Sequence, residues 1–301
     1  MYLYHFGMSE LPFTLTPNTD FFLNLKPHVE ALQVLLSALK QGEGFIKVTG
    51  EVGTGKTLIC RKLLNDIPDD FCVAYIPDPY LSPAELRWAV ASELGLITDE
   101  KIEPLQLTQR LQQHLLELSA QGKSVVVILD EAQALPDESL EALRLFTNLE
   151  TESRKLLQVV LFGQPELDER LDTKKFRQLR QRISFSYQLR SMTVAEVAHY
   201  ISHRTNIAGY RGVDLFNLPC AKEIAIASRG IPRLVNMLCH KSLLLCFGQN
   251  NFVVTKKHVR LAIKDTIDTQ RSSTKEVIVD CLLKGLLGVL LVVIFVLGGQ
   301  T

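Results

Sequence analysis

The period of apolar and polar positions changes along this chain, and the changes mark its elements. Phe45-Ile46-Lys47-Val48-Thr49 is a short β-prone run bounded by Gly44 and Gly50. Phe71 to Ile76 is a second such run. Val125-Val126-Val127-Ile128-Leu129 is apolar at every position, which predicts a strand buried on both faces. Leu156 to Gly163 predicts another buried strand, and Ile183 to Leu189 a last one. Between the strands the spacing becomes helical. Val29, Leu32, Leu35, Leu36 and Leu39 predict a helix over Pro27 to Leu39. Leu58 to Leu64 reads as a helix, and Ser82 caps one running to about Leu94, with Pro83 in its first turn. Leu105, Leu111, Leu115 and Leu118 give the inner face of a helix over Pro104 to Ala120. Asp137 to Leu149 is predicted helical, and Lys174 to Arg180 carries helical pieces. Strands alternating with helices predict an α/β fold with a parallel sheet over residues 41–190.

The flanks differ. Residues 1–40 hold an aromatic arm (Phe6, Phe13, Phe21, Phe22) and the first helix. From Thr193 the pattern is all-helical, over Val194 to Ala208, Cys220 to Ser228, Ile231 to Phe247 and Thr255 to Asp268, which predicts a second domain over residues 191–269. A polar linker over 270–280 leads to Gly285–Gly299, which has no charged or polar side chain. A helix from Cys281 to Gly299 would span about 28 Å, close to the roughly 30 Å hydrocarbon core. The expectation is a membrane-anchoring helix over 281–299. Arg271, Lys275 and Lys284 precede the apolar run and no Lys or Arg follows it, which places the body in the cytoplasm.

Composition narrows the picture. The 301 residues carry 33 basic and 33 acidic side chains, so no overall field favours nucleic acid. Six cysteines, without a C-x-x-C pair, argue against a zinc site and a disulfide framework. The N-terminus has no basic start and long apolar run, so it does not read as a signal peptide.

The chemistry concentrates where the first strand ends. Gly50-Glu51-Val52-Gly53-Thr54-Gly55-Lys56-Thr57 fits a phosphate-binding loop between a strand and a helix. Its glycines allow close backbone approach, so successive N–H groups cradle phosphate oxygens. Lys56 brings charge to the β- and γ-phosphates, and Thr57 offers a hydroxyl to Mg2+. The loop and the following Leu58 are therefore the expected nucleotide contacts, with ATP and Mg2+ as cofactors. Asp130 and Glu131 end the buried strand. Asp130 is placed to hold Mg2+ and Glu131 to polarise the attacking water. Gln164 ends the next strand and either faces that water or lies in a surface loop beside Pro165. Arg177, Arg180 and Arg182 either include an arginine finger for a neighbouring subunit or form a solvated basic face. Arg233, in Gly230-Ile231-Pro232-Arg233, either senses the γ-phosphate or simply starts a helix.

Together these segments resemble AAA+ ATPases, and more narrowly the ExeA/GspA-like branch associated with type II secretion and type IV pili. The resemblance rests on Phe6-Gly7-Met8, Pro12-Phe13, Thr16-Pro17, His28 to Leu32, Thr49 to Thr57, Leu129-Asp130-Glu131-Ala132-Gln133, Gly163-Gln164-Pro165-Glu166-Leu167 and Gly230 to Arg233. It implies a five-stranded core, a helical lid, a homo-oligomer, Arg182 as the finger and Arg233 as a second sensor. Many AAA+ proteins place Asn, Ser or Thr where Gln164 stands. The resemblance leaves Phe6 or Phe13 either lining the adenine pocket or packing on the sheet. It also implies pilus or secretion proteins of the bacterial inner membrane as partners, with ATP turnover at its cytoplasmic face. Direct peptidoglycan binding is not expected, because only Gln300-Thr301 follow the apolar run. The alternative is a DNA-associated ATPase of the transposition type, which zero net charge disfavours.

Overall fold

The computed structural model describes residues 2–16, 18–96, 103–146 and 155–269. The described residues divide into two compact units, one within residues 16–191 and one joining residues 2–15 to 192–269. The predicted linker over 270–280 and the anchor over 281–299 lie outside the described residues. Among the described residues no helix is long and apolar enough to cross a membrane.

A short helix, α1 (Tyr2–Phe6), opens the chain. The first unit then runs α2 (Lys26–Lys40), β1 (Phe45–Gly50), α3 (Lys56–Asp66), β2 (Phe71–Ile76), α4 (Pro83–Glu93), α5 (Pro104–Ala120) and β3 (Ser124–Leu129). It continues through α6 (Asp137–Phe146), β4 (Leu157–Gly163), α7 (Pro165–Leu171), α8 (Arg177–Arg180) and β5 (Ile183–Leu189). All five strands are parallel, in the order β2-β3-β4-β1-β5. The sheet is covered on both faces, which explains its apolar strands. Val125, Val127 and Leu129 of β3 pack with α4, α5 and α6 on one side. Val126 and Ile128 pack with α2 and α3 on the other. Each such fully buried aliphatic side chain contributes about 1.5–3 kcal/mol. Edge strand β5 alternates instead, with Ser184, Ser186 and Gln188 exposed and the residues between them packed inward.

The parallel sheet of residues 41–190 is as its patterning predicts, and most helix ends agree within two residues. Helix α7 was not anticipated. Pro165 starts it and Leu167 and Leu171 bury one side, but seven residues are too few to show a period against their acidic neighbours.

The second unit contains α1 with α9 (Val194–Ile207), α10 (Leu218–Ser228), α11 (Pro232–Gly248) and α12 (Lys256–Lys264). Thr193 and Glu196 form a capping box at the start of α9. The first fifteen residues are built into these helices through polar bonds. Buried Arg204 donates to the Pro12 carbonyl and, at 3.0 Å, to the Tyr200 hydroxyl. Asn236 accepts from Tyr200 at 3.1 Å and donates to the Thr14 carbonyl at 3.1 Å. Phe6 and Phe13 are buried here, Phe13 edge-on to Phe216 at 5.9 Å. The reading that these rings pack on the sheet is corrected: the Arg204–Asn236 network fastens residues 1–15 to the helices, and only from Thr16 does the arm join the sheet unit.

Candidate nucleotide site

Parallel strands all end at one edge of a sheet, and loops there share a crevice. The order β3-β4-β1 therefore brings together the loop after β1, Asp130-Glu131 after β3 and Gln164 after β4. Register agrees: Leu129 pairs with Leu161, and Thr49 with Gly163.

The loop after β1 is tightly built. Gly53 and Gly55 have φ of 81° and 100°, the left-handed region where glycine carries no steric penalty. A Cβ on Gly50 would lie 3.0 Å from the Leu189 carbonyl oxygen and 3.0 Å from Thr54 Oγ1. Thr54 is buried and donates to the Glu51 carbonyl at 2.8 Å. Lys56 is also buried, and its Nζ donates to the carbonyls of Gly50 at 2.7 Å and Glu51 at 3.1 Å. Burial pushes the ammonium below its usual range, against the pull of Glu131, Asp130, Glu51 and Glu166. Glu51 and Val52 are exposed at the loop tip, and Leu58 is half-buried on α3.

Asp130 is buried at the end of β3. The Thr57 hydroxyl donates to its carboxylate, so the two predicted Mg2+ residues meet. The Glu131 backbone N–H also donates to Asp130, at 3.0 Å. Burial raises the Asp130 carboxyl above its usual range, and these two bonds oppose the rise in part.

Glu131 has φ of 50°, uncommon for a residue with a side chain. Its Oε2 accepts from Gln133 Nε2 at 2.6 Å and from Gln164 Nε2 at 3.0 Å. Burial acts to raise its carboxyl, but the bonds from Gln164 and Gln133 and the charge of Lys56 outweigh it and leave it below the usual range. An ionised carboxylate is thereby held beside the phosphate loop.

The residues suit the cofactors. The glycine cradle, the buried ammonium and a carboxylate–hydroxyl pair form a donor set for a triphosphate with a hard, oxygen-seeking cation. Lys56, Thr57, Asp130, Glu131 and Gln164 thus converge. Arg182 does not join them; its guanidinium donates to the Arg144 carbonyl at 3.2 Å. Arg180 pairs with Asp172 at 2.9 Å, and Arg177 is exposed. Arg233 is exposed at the start of α11 in the helical unit.

Two site residues had no assigned role in the sequence. Gln133 is one. The other is His28 on α2, buried, with Nε2 3.2 Å from the Thr54 carbonyl and 3.5 Å from where a Gly55 Cβ would stand. For Gln133 the signal was its place two residues past Glu131, at the end of the Leu129 to Gln133 segment. For His28 it was an imidazole on the inner face of an apolar helix.

Comparison with known proteins agrees with this geometry. Residues 39–171 match the family model described as AAA domain. General secretion pathway protein A of Aeromonas hydrophila is 40% identical over 262 residues, 87% of this chain and 48% of that protein. The chain thus spans about half the length of the curated relative it matches. Among solved structures, Cdc6p from Pyrobaculum aerophilum superposes with a TM-score of 0.63 at 20% identity, over 83% of this chain and 71% of that one. The Aeropyrum pernix ORC2 protein gives 0.59 at 16%, over 83% and 72%. At such identities these two speak to the fold alone. Strands β1 to β4 of the parallel sheet and the loop after β1 thus lie in the region, residues 39–171, that matches the AAA domain model, and over 87% of its length the chain is similar to General secretion pathway protein A.

Proposed function

We propose that this protein hydrolyses ATP in the presence of Mg2+, and that turnover supports assembly or localisation of an envelope machine at the cytoplasmic face of a bacterial inner membrane. The observation that carries the hydrolytic reading is Glu131, ionised next to Asp130, held by two amides and facing the charge of Lys56. Lys56 and the loop N–H groups would bind the phosphates, and Thr57 and Asp130 would hold Mg2+, which would supply charge neutralisation at the phosphate oxygens. Glu131 takes a proton from water, and Gln164 holds the Glu131 carboxylate through its amide. Replacing Glu131 by Gln tests this directly. Nucleotide should still bind, because an amide oxygen can accept the same two bonds. Hydrolysis should fall about 10²–10⁴-fold, the share a general base supplies. Steady-state turnover close to that of the unaltered protein would refute the role.

The finer reading is a type IV pilus of the mannose-sensitive haemagglutinin (MSHA) kind, in a role like that of MshM, or a type II secretion-like machine. Its support is the similarity to General secretion pathway protein A together with the apolar stretch 281–299. In this reading the protein self-associates, Arg182 reaches a neighbouring copy's nucleotide and Arg233 senses its own. The inner membrane is engaged through 281–299.

A further inference from the structure

Two amides from different elements meet on one oxygen of Glu131, and one of them is itself oriented from outside. The backbone N–H of Gln164 donates to Gln133 Oε1 at 2.9 Å. An amide whose oxygen is engaged by a donor must turn its NH2 the other way, and here it turns to Glu131 Oε2 at 2.6 Å. The side chain of Gln164 donates to the same Oε2 at 3.0 Å, closing a ring of three residues. The backbone of this segment is fastened as well. Arg170 of α7 donates to the Gln133 carbonyl at 2.7 Å and the Leu135 carbonyl at 2.8 Å, and pairs with Asp137 at 2.5 Å. Thus the β4–α7 junction holds the side chain of Gln133 and the far end of α7 holds its backbone.

We infer that Gln133 is a positioning residue for Glu131, and that through it the β4–α7 junction sets where the carboxylate points. Both amide bonds fall on Oε2, so Oε1 is the oxygen presented to water. Glu131 sits at a positive φ uncommon for a residue with a side chain, so its carboxylate is placed from an unusual backbone position. The ring supplies that placement. The inference rests on the hydrolytic reading of Glu131 and adds to it a residue that touches neither nucleotide nor water.

Gln133→Met keeps an unbranched side chain of similar length and removes both bonds. Steady-state ATP hydrolysis by the full chain gives kcat and KM, and a non-hydrolysable ATP analogue gives affinity. The expected result is a fall in kcat of about 10- to 100-fold, the scale of misplacing a reacting group by about an ångström. KM and analogue affinity should stay within about twofold. Combining Gln133→Met with Gln164→Met should cost little more than the worse single change, because both act through one ring. The inference is overturned if kcat stays within about threefold of the unaltered protein, if affinity falls in step with kcat, or if the two losses multiply. An unaltered protein that binds ATP without hydrolysing it sinks the hydrolytic reading itself, an outcome distinct from a working enzyme indifferent to Gln133.

Discussion

Replacing Gly230 by alanine should be among the most damaging small changes in the helical unit. Gly230 follows α10 with φ of 70°, directly after Arg229 at φ of 54°. Left-handed backbone costs a residue with a Cβ about 1–2 kcal/mol. The second cost is contact. A Cβ at Gly230 would lie 2.0 Å from the Met192 carbonyl oxygen and 2.9 Å from its carbon. The obstacle is backbone, and it is tied to this turn, since Met192 N–H donates to the Gly230 carbonyl at 2.9 Å. Forcing such an overlap to relax costs about 1–3 kcal/mol more. The expected loss is therefore about 2–5 kcal/mol. Gly122→Ala isolates the first cost, because Gly122 has φ of 79° with nothing within 4 Å of its Cβ position. Urea unfolding followed by far-UV ellipticity measures both variants. A Gly230→Ala loss within about 0.5 kcal/mol of the Gly122→Ala loss would refute the steric argument.

Lys56→Ala removes a buried cation that bridges two loop carbonyls, and should weaken ATP binding at least about 100-fold, measured by equilibrium titration. Asp130→Asn should leave metal-free nucleotide affinity nearly unchanged but raise the Mg2+ concentration needed for half-maximal turnover; an unchanged Mg2+ requirement would remove Asp130 from the metal site. For the apolar stretch, cells expressing the full chain and a version stopped at Thr274 are fractionated. The full chain should sediment with membranes and the shorter one should not, so equal solubility would end the anchoring proposal.

The nucleotide loop was legible because its requirements are local. Eight consecutive residues between a strand and a helix carry the glycines, the cation and the hydroxyl. Strands β3 and β4 were legible because apolar runs buried on both faces leave a mark that needs no partner to read, and edge strand β5 because its apolar and polar residues alternate. Asp130 and Glu131 followed from standing at the end of such a run. By itself, then, the sequence determined a parallel α/β core with a phosphate loop, an acidic pair and a helical region after it. Tertiary structure decided what surrounds them. Only the strand order β3-β4-β1 sets Gln164 against Glu131 from 33 residues away, and only the Gln164 backbone N–H turns the Gln133 amide toward that carboxylate. Likewise the first fifteen residues join helices some two hundred positions on, through Arg204 and Asn236. Such bonds depend on the meeting of side chains far apart in the chain, and no periodicity or local motif encodes that meeting.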